Sequence, residues 1–203
     1  MTIKAIETVY AGHRFRSRLE ARWAVFFDSM GIRWLYENQG YQLADRLGVL
    51  DTDETINYLP DFWLPDFNLH AEVKGSLTRE ELARTLTVAA ALSSPGGGCG
   101  GGNDTVLLGP IPEPDRRSRY PYRLHLHKGD LIASPFWASL EYQPEDGTCP
   151  AYGYNSMTIA ADTGEIWKTG QKLLSGYASK VGCHWAEGYR AARAARFEHG
   201  QRG

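Results

Sequence analysis

The chain has no cysteine framework. Its three cysteines, Cys99, Cys149 and Cys183, are far apart and odd in number. That excludes a disulfide-stapled scaffold and favours a reducing compartment. No apolar run is long enough to cross a bilayer. The opening MTIKAIETVY lacks the apolar stretch of a signal peptide. A cytoplasmic location with no membrane partner is therefore expected. An excess of one charge is also missing. The formal net charge is −2, which excludes a broadly basic chain, so any polyanion-binding face must be a local patch. There is no internal repeat and no sustained heptad pattern, which excludes solenoids and coiled coils. What remains is 203 residues, 42% hydrophobic and 23% charged, enough for one moderate core with an appendage.

The most informative stretch is Tyr58 to Gly75, YLPDFWLPDFNLHAEVKG. Pro65-Asp66-Phe67-Asn68 is built of turn formers, and a two-residue loop at Asp66-Phe67 predicts a hairpin. Phe62 then faces Ala71, Leu64 faces Leu69, Trp63 faces His70 and Asp61 faces Glu72. Alternation along each strand sorts these into two sides. Phe62, Leu64, Leu69, Ala71 and Val73 form an apolar face. Asp61, Glu72 and Lys74 share the other, beside Trp63 and His70. Carboxylates directly opposite one another sit roughly 5 Å apart at Cβ. Like charges that close push one pKa up, unless a divalent cation lies between them. Mg²⁺ prefers such hard oxygens and needs only one or two carboxylates besides water and phosphate.

A helix is predicted upstream. Ser17 and Glu20 make a capping box, with Glu20 bonding back to the Ser17 amide. Leu19, Trp23, Phe26 and Met30 recur at helical spacing, and Gly31 ends the run. Ile32–Glu37 and Gly40–Leu43 read as strands; Glu37 reads first as a surface strand residue and second as a further acid approaching the site. Asp45–Thr55 reads as an acidic loop, and Pro60 marks an edge or bulge. A second helix starts at Ser76 or Thr78, with Glu80 and Glu81 in its first turn and Leu82, Leu86, Ala89 and Ala90 inward. Ser93–Asn103 is a glycine linker without the G-K-[ST] of a phosphate loop. Thr105–Gly109 and Tyr122–His127 read as strands, joined by a connection that interleaves Arg116, Arg117 and Arg119 with tyrosines. Beyond Ser134 periodicity is lost until a helix at Trp185–Glu198. There Trp185, Tyr189, Ala192 and Phe197 face inward, and Arg190, Arg193 and Arg196 outward.

Pro60-Asp61 followed by Glu72-Val73-Lys74 resembles the PD-(D/E)xK nuclease superfamily, and Tyr10–Ile32 is similar to the first helix of its small phage-type members. The likeness covers Tyr10 to Pro112, about half the chain. It implies an α/β, restriction-endonuclease-like core with a mixed β-sheet flanked by helices, over residues 1–133. Residues 134–203 form a C-terminal extension ending in an Arg-rich helix. It also implies a Mg²⁺-dependent deoxyribonuclease, with Mn²⁺ as a substitute. Asp61, Glu72 and the Val73 carbonyl would hold the metal, Glu20 would join them, and Lys74 would position or activate the attacking water. DNA is the implied partner, with a homodimer where both strands are cut. Arg14, Arg16, Arg18, Arg79 and Arg84 are candidate phosphate contacts.

Three other readings stand beside this one. The fold can serve a non-catalytic nucleic-acid-binding or assembly protein. Paired carboxylates also occur in glycosidases, though Lys74 and the arginines suit phosphate better. Zinc is not expected. Cys149 sits in half a knuckle motif, and Cys183-His184 leave a four-ligand structural site one short. His70, His125 and His127 lack a nearby acidic partner.

Overall fold

The computed structural model describes residues 5–45, 55–93, 104–113, 122–127, 130–135, 157–159 and 185–197. Within them the chain is a mixed α/β fold. Strands β1 (Thr8–Tyr10) and β2 (His13–Phe15) form a small antiparallel ribbon that leads into helix α1 (Arg18–Ser29). Ser17 caps α1, its Oγ accepting from the Glu20 amide at 3.2 Å. Gly31, at φ +66°, ends the helix; its amide donates to Asp28 at 3.1 Å, and the next, Ile32, to Phe27 at 2.9 Å. Trp23, Phe26 and Phe27 are fully buried with Ala21 and Ala24, while Leu19 and Met30 lie at the margin of the core.

Strands β3 (Leu35–Tyr36), β6 (Phe62–Leu64), β7 (Leu69–Val73), β8 (Asp104–Leu108), β9 (Tyr122–His127), β10 (Asp130–Pro135) and β11 (Met157–Ile159) form one seven-stranded sheet. Its order is β11-β10-β9-β8-β7-β6-β3. Only the β7–β8 pairing is parallel. Helix α2 (Arg79–Leu92) makes that crossover, as a parallel pair requires. Its Thr78 cap and Glu81 complete a reciprocal capping box. α1 covers one face of the sheet, with Phe27 against Phe62 at 5.4 Å. A second ribbon, β4 (Tyr41–Leu43) with β5 (Ile56–Tyr58), lies over the other face and packs on Val88 and Leu92 of α2.

The hairpin register is the expected one, Phe62↔Ala71, Trp63↔His70 and Leu64↔Leu69. Pairing stops one step earlier than expected, so four residues, Pro65 to Asn68, make the connection. Asn68 takes φ +52°, a conformation asparagine tolerates.

The predicted strand Ile32–Glu37 shrinks to β3, because the Arg33 amide is taken by Asp66 and Glu37 turns to φ +46°. Gly40–Leu43 is a strand as expected, β4, and pairs with β5 outside the main sheet. Tyr58, expected in the hairpin, belongs to β5 and is separated from β6 by the break at Pro60. β10 and β11 extend the sheet beyond the strands that the sequence predicts.

Helix α3 (Trp185–Ala194) is shorter than expected and packs on α1. Tyr189 stacks on Phe26 with ring centres 5.0 Å apart, and Gly188 permits the approach, since a Cβ there falls 2.7 Å from the Phe26 ring. Among the described residues no helix is long and apolar enough to cross a membrane. The glycine linker beyond Ser93, Arg116, Arg117, Arg119, Cys149, Cys183 and His184 lie outside the described residues, as do the His125 and His127 side chains.

Candidate active site

The break at Pro60 drops Asp61 out of β6 and turns its side chain onto the end of β7. There Asp61 Oδ2 accepts the Val73 amide at 2.7 Å. Glu72 lies one residue back on β7, and Lys74 one residue past its end. Lys74 Nζ reaches Glu72 Oε1 at 2.6 Å, while the Lys74 amide continues the sheet to Leu108 at 2.7 Å. The start of α1 delivers Glu20 to the same place. Glu20, Asp61, Glu72, Val73 and Lys74 line one cavity of about 560 Å³, together with Arg16, Tyr58, Glu81, Arg84 and Thr85.

Each acid in the cavity has a specific set of donors. Glu20 is buried and accepts from the Arg16 amide at 3.1 Å, the Ser17 hydroxyl at 2.6 Å and the Tyr36 hydroxyl at 2.7 Å. Its backbone partner is thus Arg16, not the Ser17 amide expected from the capping box. Arg16 also contributes its side chain. Its guanidinium binds Asp61 Oδ1 at 2.7 Å and Glu37 Oε1 at 2.8 Å, so Glu37 reaches the site through Arg16. The Tyr58 hydroxyl donates to Glu72 Oε2. All four oxygens of Asp61 and Glu72 therefore have protein partners.

Burial first, and then the Glu72 charge, push the Asp61 carboxyl up to about 8. The Val73 amide and Lys74 work the other way, as does the Arg16 contact. Burial pushes the Tyr58 hydroxyl well above its ordinary range, and Glu72 adds to this. Burial opposes the Lys74 charge, but Glu72 more than offsets it, so the ammonium is held above its usual range. Lys74 is thus a cation through neutral pH rather than a free base.

The wall carries four carboxylates (Glu20, Asp61, Glu72, Glu81) against three cations (Arg16, Lys74, Arg84). Glu20, Asp61 and Glu72 are buried, and their hard oxygen donors fit a divalent cation. Among the described residues no three His, Cys, Asp or Glu side chains form a ready cage.

The other arginines separate. Arg84 lines the cavity and donates to the Asn57 carbonyl at 3.0 Å. Arg14, Arg18 and Arg79 do not line it; Arg14 is exposed and paired with Glu7. Sequence reading missed Tyr36 and Tyr58. Both are aromatic residues in strand-like stretches, and nothing local marks their hydroxyls as partners of acids 16 and 14 positions away. Comparison with protein-family models, curated proteins and solved structures gives no match.

Proposed function

We propose that this chain is a metal-dependent DNA nuclease that hydrolyses phosphodiester bonds by a PD-(D/E)xK mechanism, acting as an endonuclease. The observation that carries the reading is the convergence of Asp61, Glu72, Val73, Lys74 and Glu20 on one cavity. The mixed sheet with a parallel β7–β8 pair beside the hairpin is compatible with a restriction-endonuclease-like core.

Asp61, Glu72 and the Val73 carbonyl would hold Mg²⁺ or Mn²⁺, with Glu20 beside them. Such an ion supplies a nucleophile at neutral pH and clamps phosphate oxygens. Lys74, held charged, orients the attacking water and balances charge that builds on the phosphate. Tyr58 fixes the rotamer of Glu72, and the Val73 amide fixes that of Asp61. Arg84 stands on the wall where a phosphate would approach.

The test is cleavage of supercoiled plasmid with Mg²⁺, Mn²⁺ or EDTA, beside Lys74→Ala. Nicked or linear product that needs metal and disappears in the variant supports the reading. Intact plasmid, branched DNA and single strands under every condition would remove it. One observation favours a non-catalytic DNA-binding protein on the same fold: every Asp61 and Glu72 oxygen already has a protein partner. DNA binding without product would bring that second reading forward.

A further inference from the structure

The side of β7 that carries Glu72 also carries His70, two positions earlier, and β6 sets Trp63 opposite it. The β4–β5 ribbon spans both places. Tyr58 reaches Glu72, and its register partner Tyr41 lays its ring against His70, centroids 5.1 Å apart at 78°. The Trp63 ring stands 4.7 Å from His70. A second cavity of about 220 Å³ lies here, lined by Asn38, Gln39, Tyr41, Pro60, Trp63 and His70.

His70 is 3% exposed, and neither of its ring nitrogens has a hydrogen-bond partner. Buried polar groups in folded proteins are nearly always paired, so a bare one calls for a ligand or a water. A neutral imidazole has one nitrogen to donate and one to accept. Asn38 and Gln39 are exposed and add amide donors and acceptors at the rim. Aromatic walls with a few paired donors and acceptors are what stack on, and read the edge of, a planar heterocycle. The volume is below the roughly 300 Å³ at which clefts for drug-sized ligands begin, which suits a single base. Two residues along a strand are about 7 Å, so the cavity is a short step from Asp61 and Glu72.

We propose that the cavity between Trp63, Tyr41 and His70 takes up one unstacked nucleobase of the DNA strand, next to the phosphate that the Asp61–Glu72 site handles. This rests on the nuclease reading for its neighbour, but its test does not depend on cleavage.

Binding is measured in EDTA by fluorescence anisotropy, using the full chain with labelled single-stranded and flapped DNA. Trp63→Ala weakens binding about tenfold, within the range for loss of one base–aromatic stack. The double variant Asn38→Ala, Gln39→Ala, which touches only exposed rim residues, weakens it in the same direction. An abasic nucleotide moved along the strand weakens wild type at one position, and at that position adds no further loss to Trp63→Ala. Unchanged binding in both variants overturns the proposal and leaves the cavity to ordered water. Abasic losses equal in wild type and variant at every position do the same. The two readings fail separately. The abasic pattern without metal-dependent product keeps the pocket and removes the nuclease, and product without the pattern does the reverse. No DNA binding by wild type overturns the pocket and leaves the nuclease reading to the cleavage test.

Discussion

Asp61 makes the stability of the metal-free protein depend on pH in an unusual direction. Its carboxyl is raised from 3.8 to about 8, by burial first and Glu72 second. The folded state then holds a proton that the unfolded state has released, so stability falls as pH rises toward 8. His70 acts oppositely over a lower window. Its pKa is lowered from 6.5 to about 4 by burial, so stability gained from it rises with pH and is complete by 6.5. Below 6.5 the two effects oppose one another, and above it the Asp61 effect remains. Tyr58 and Lys74, both raised, keep their protons across this window. From pH 6.5 to 8 the loss is about 1.5 pH units at about 1.4 kcal/mol each, or about 2 kcal/mol. For a chain of this size that lowers Tm by about 4–8 °C. The assay is a thermal melt followed by circular dichroism at half-unit pH steps in EDTA. Asp61→Asn flattens the fall, and millimolar Mg²⁺ flattens it in wild type by neutralising the same charge. A wild-type Tm in EDTA that is level or rises between pH 6.5 and 8 would refute the reasoning.

Arg16→Gln is expected to tighten Mn²⁺ and Mg²⁺ binding by calorimetry, because the guanidinium holds Asp61 Oδ1 at 2.7 Å and competes with a cation for it; weaker binding in the variant would show that Arg16 supports the ion. Tyr58→Phe removes the donor to Glu72 Oε2, and metal affinity falls about tenfold, as for loss of an outer partner that orients a ligand; unchanged affinity would free Glu72 from that role. Gly188→Ala places a methyl group 2.7 Å from the Phe26 ring, so urea denaturation shows about 1–3 kcal/mol lost to overpacking, with no loss if α3 rides freely on α1.

The hairpin was legible because its residues agree at two levels. Alternation of Phe62, Leu64, Leu69, Ala71 and Val73 leaves one register that buries them all, and that register is observed. A slip of one residue would bury Asp61 and Glu72 on the core side. The α1 and α2 caps were legible for a similar reason, since Ser17 and Thr78 act within one turn. The partners of the site's acids were not. Arg16 reads as one of several basic residues near a helix start, and its partner Asp61 is 45 positions away. Tyr58 reads as an extension of the hairpin, and only its pairing with Tyr41 across the acidic loop shows that it belongs to another ribbon. β11 was missed because its partner β10 lies more than 20 positions earlier and its local pattern is weak; β10 was missed although it pairs with β9 only two residues after that strand ends.

The parallel pairing of β7 with β8 has a consequence for how the molecule assembles. The β6–β7 hairpin closes over a four-residue loop, a contact of the kind that forms in microseconds. β8 reaches β7 only after the chain has traversed α2, and it also supplies the Leu108 carbonyl that binds the Lys74 amide. Just past β8, Gly109 accepts the Trp23 indole at 2.8 Å, a contact 86 residues long in sequence. Such distant closures slow folding. During synthesis the acidic pair is therefore made early but stays on an open sheet edge until residues 104–109 have emerged. A fragment ending before Asp104 would carry Asp61, Glu72 and Lys74, yet leave β7 unpaired on that side and prone to join a second chain.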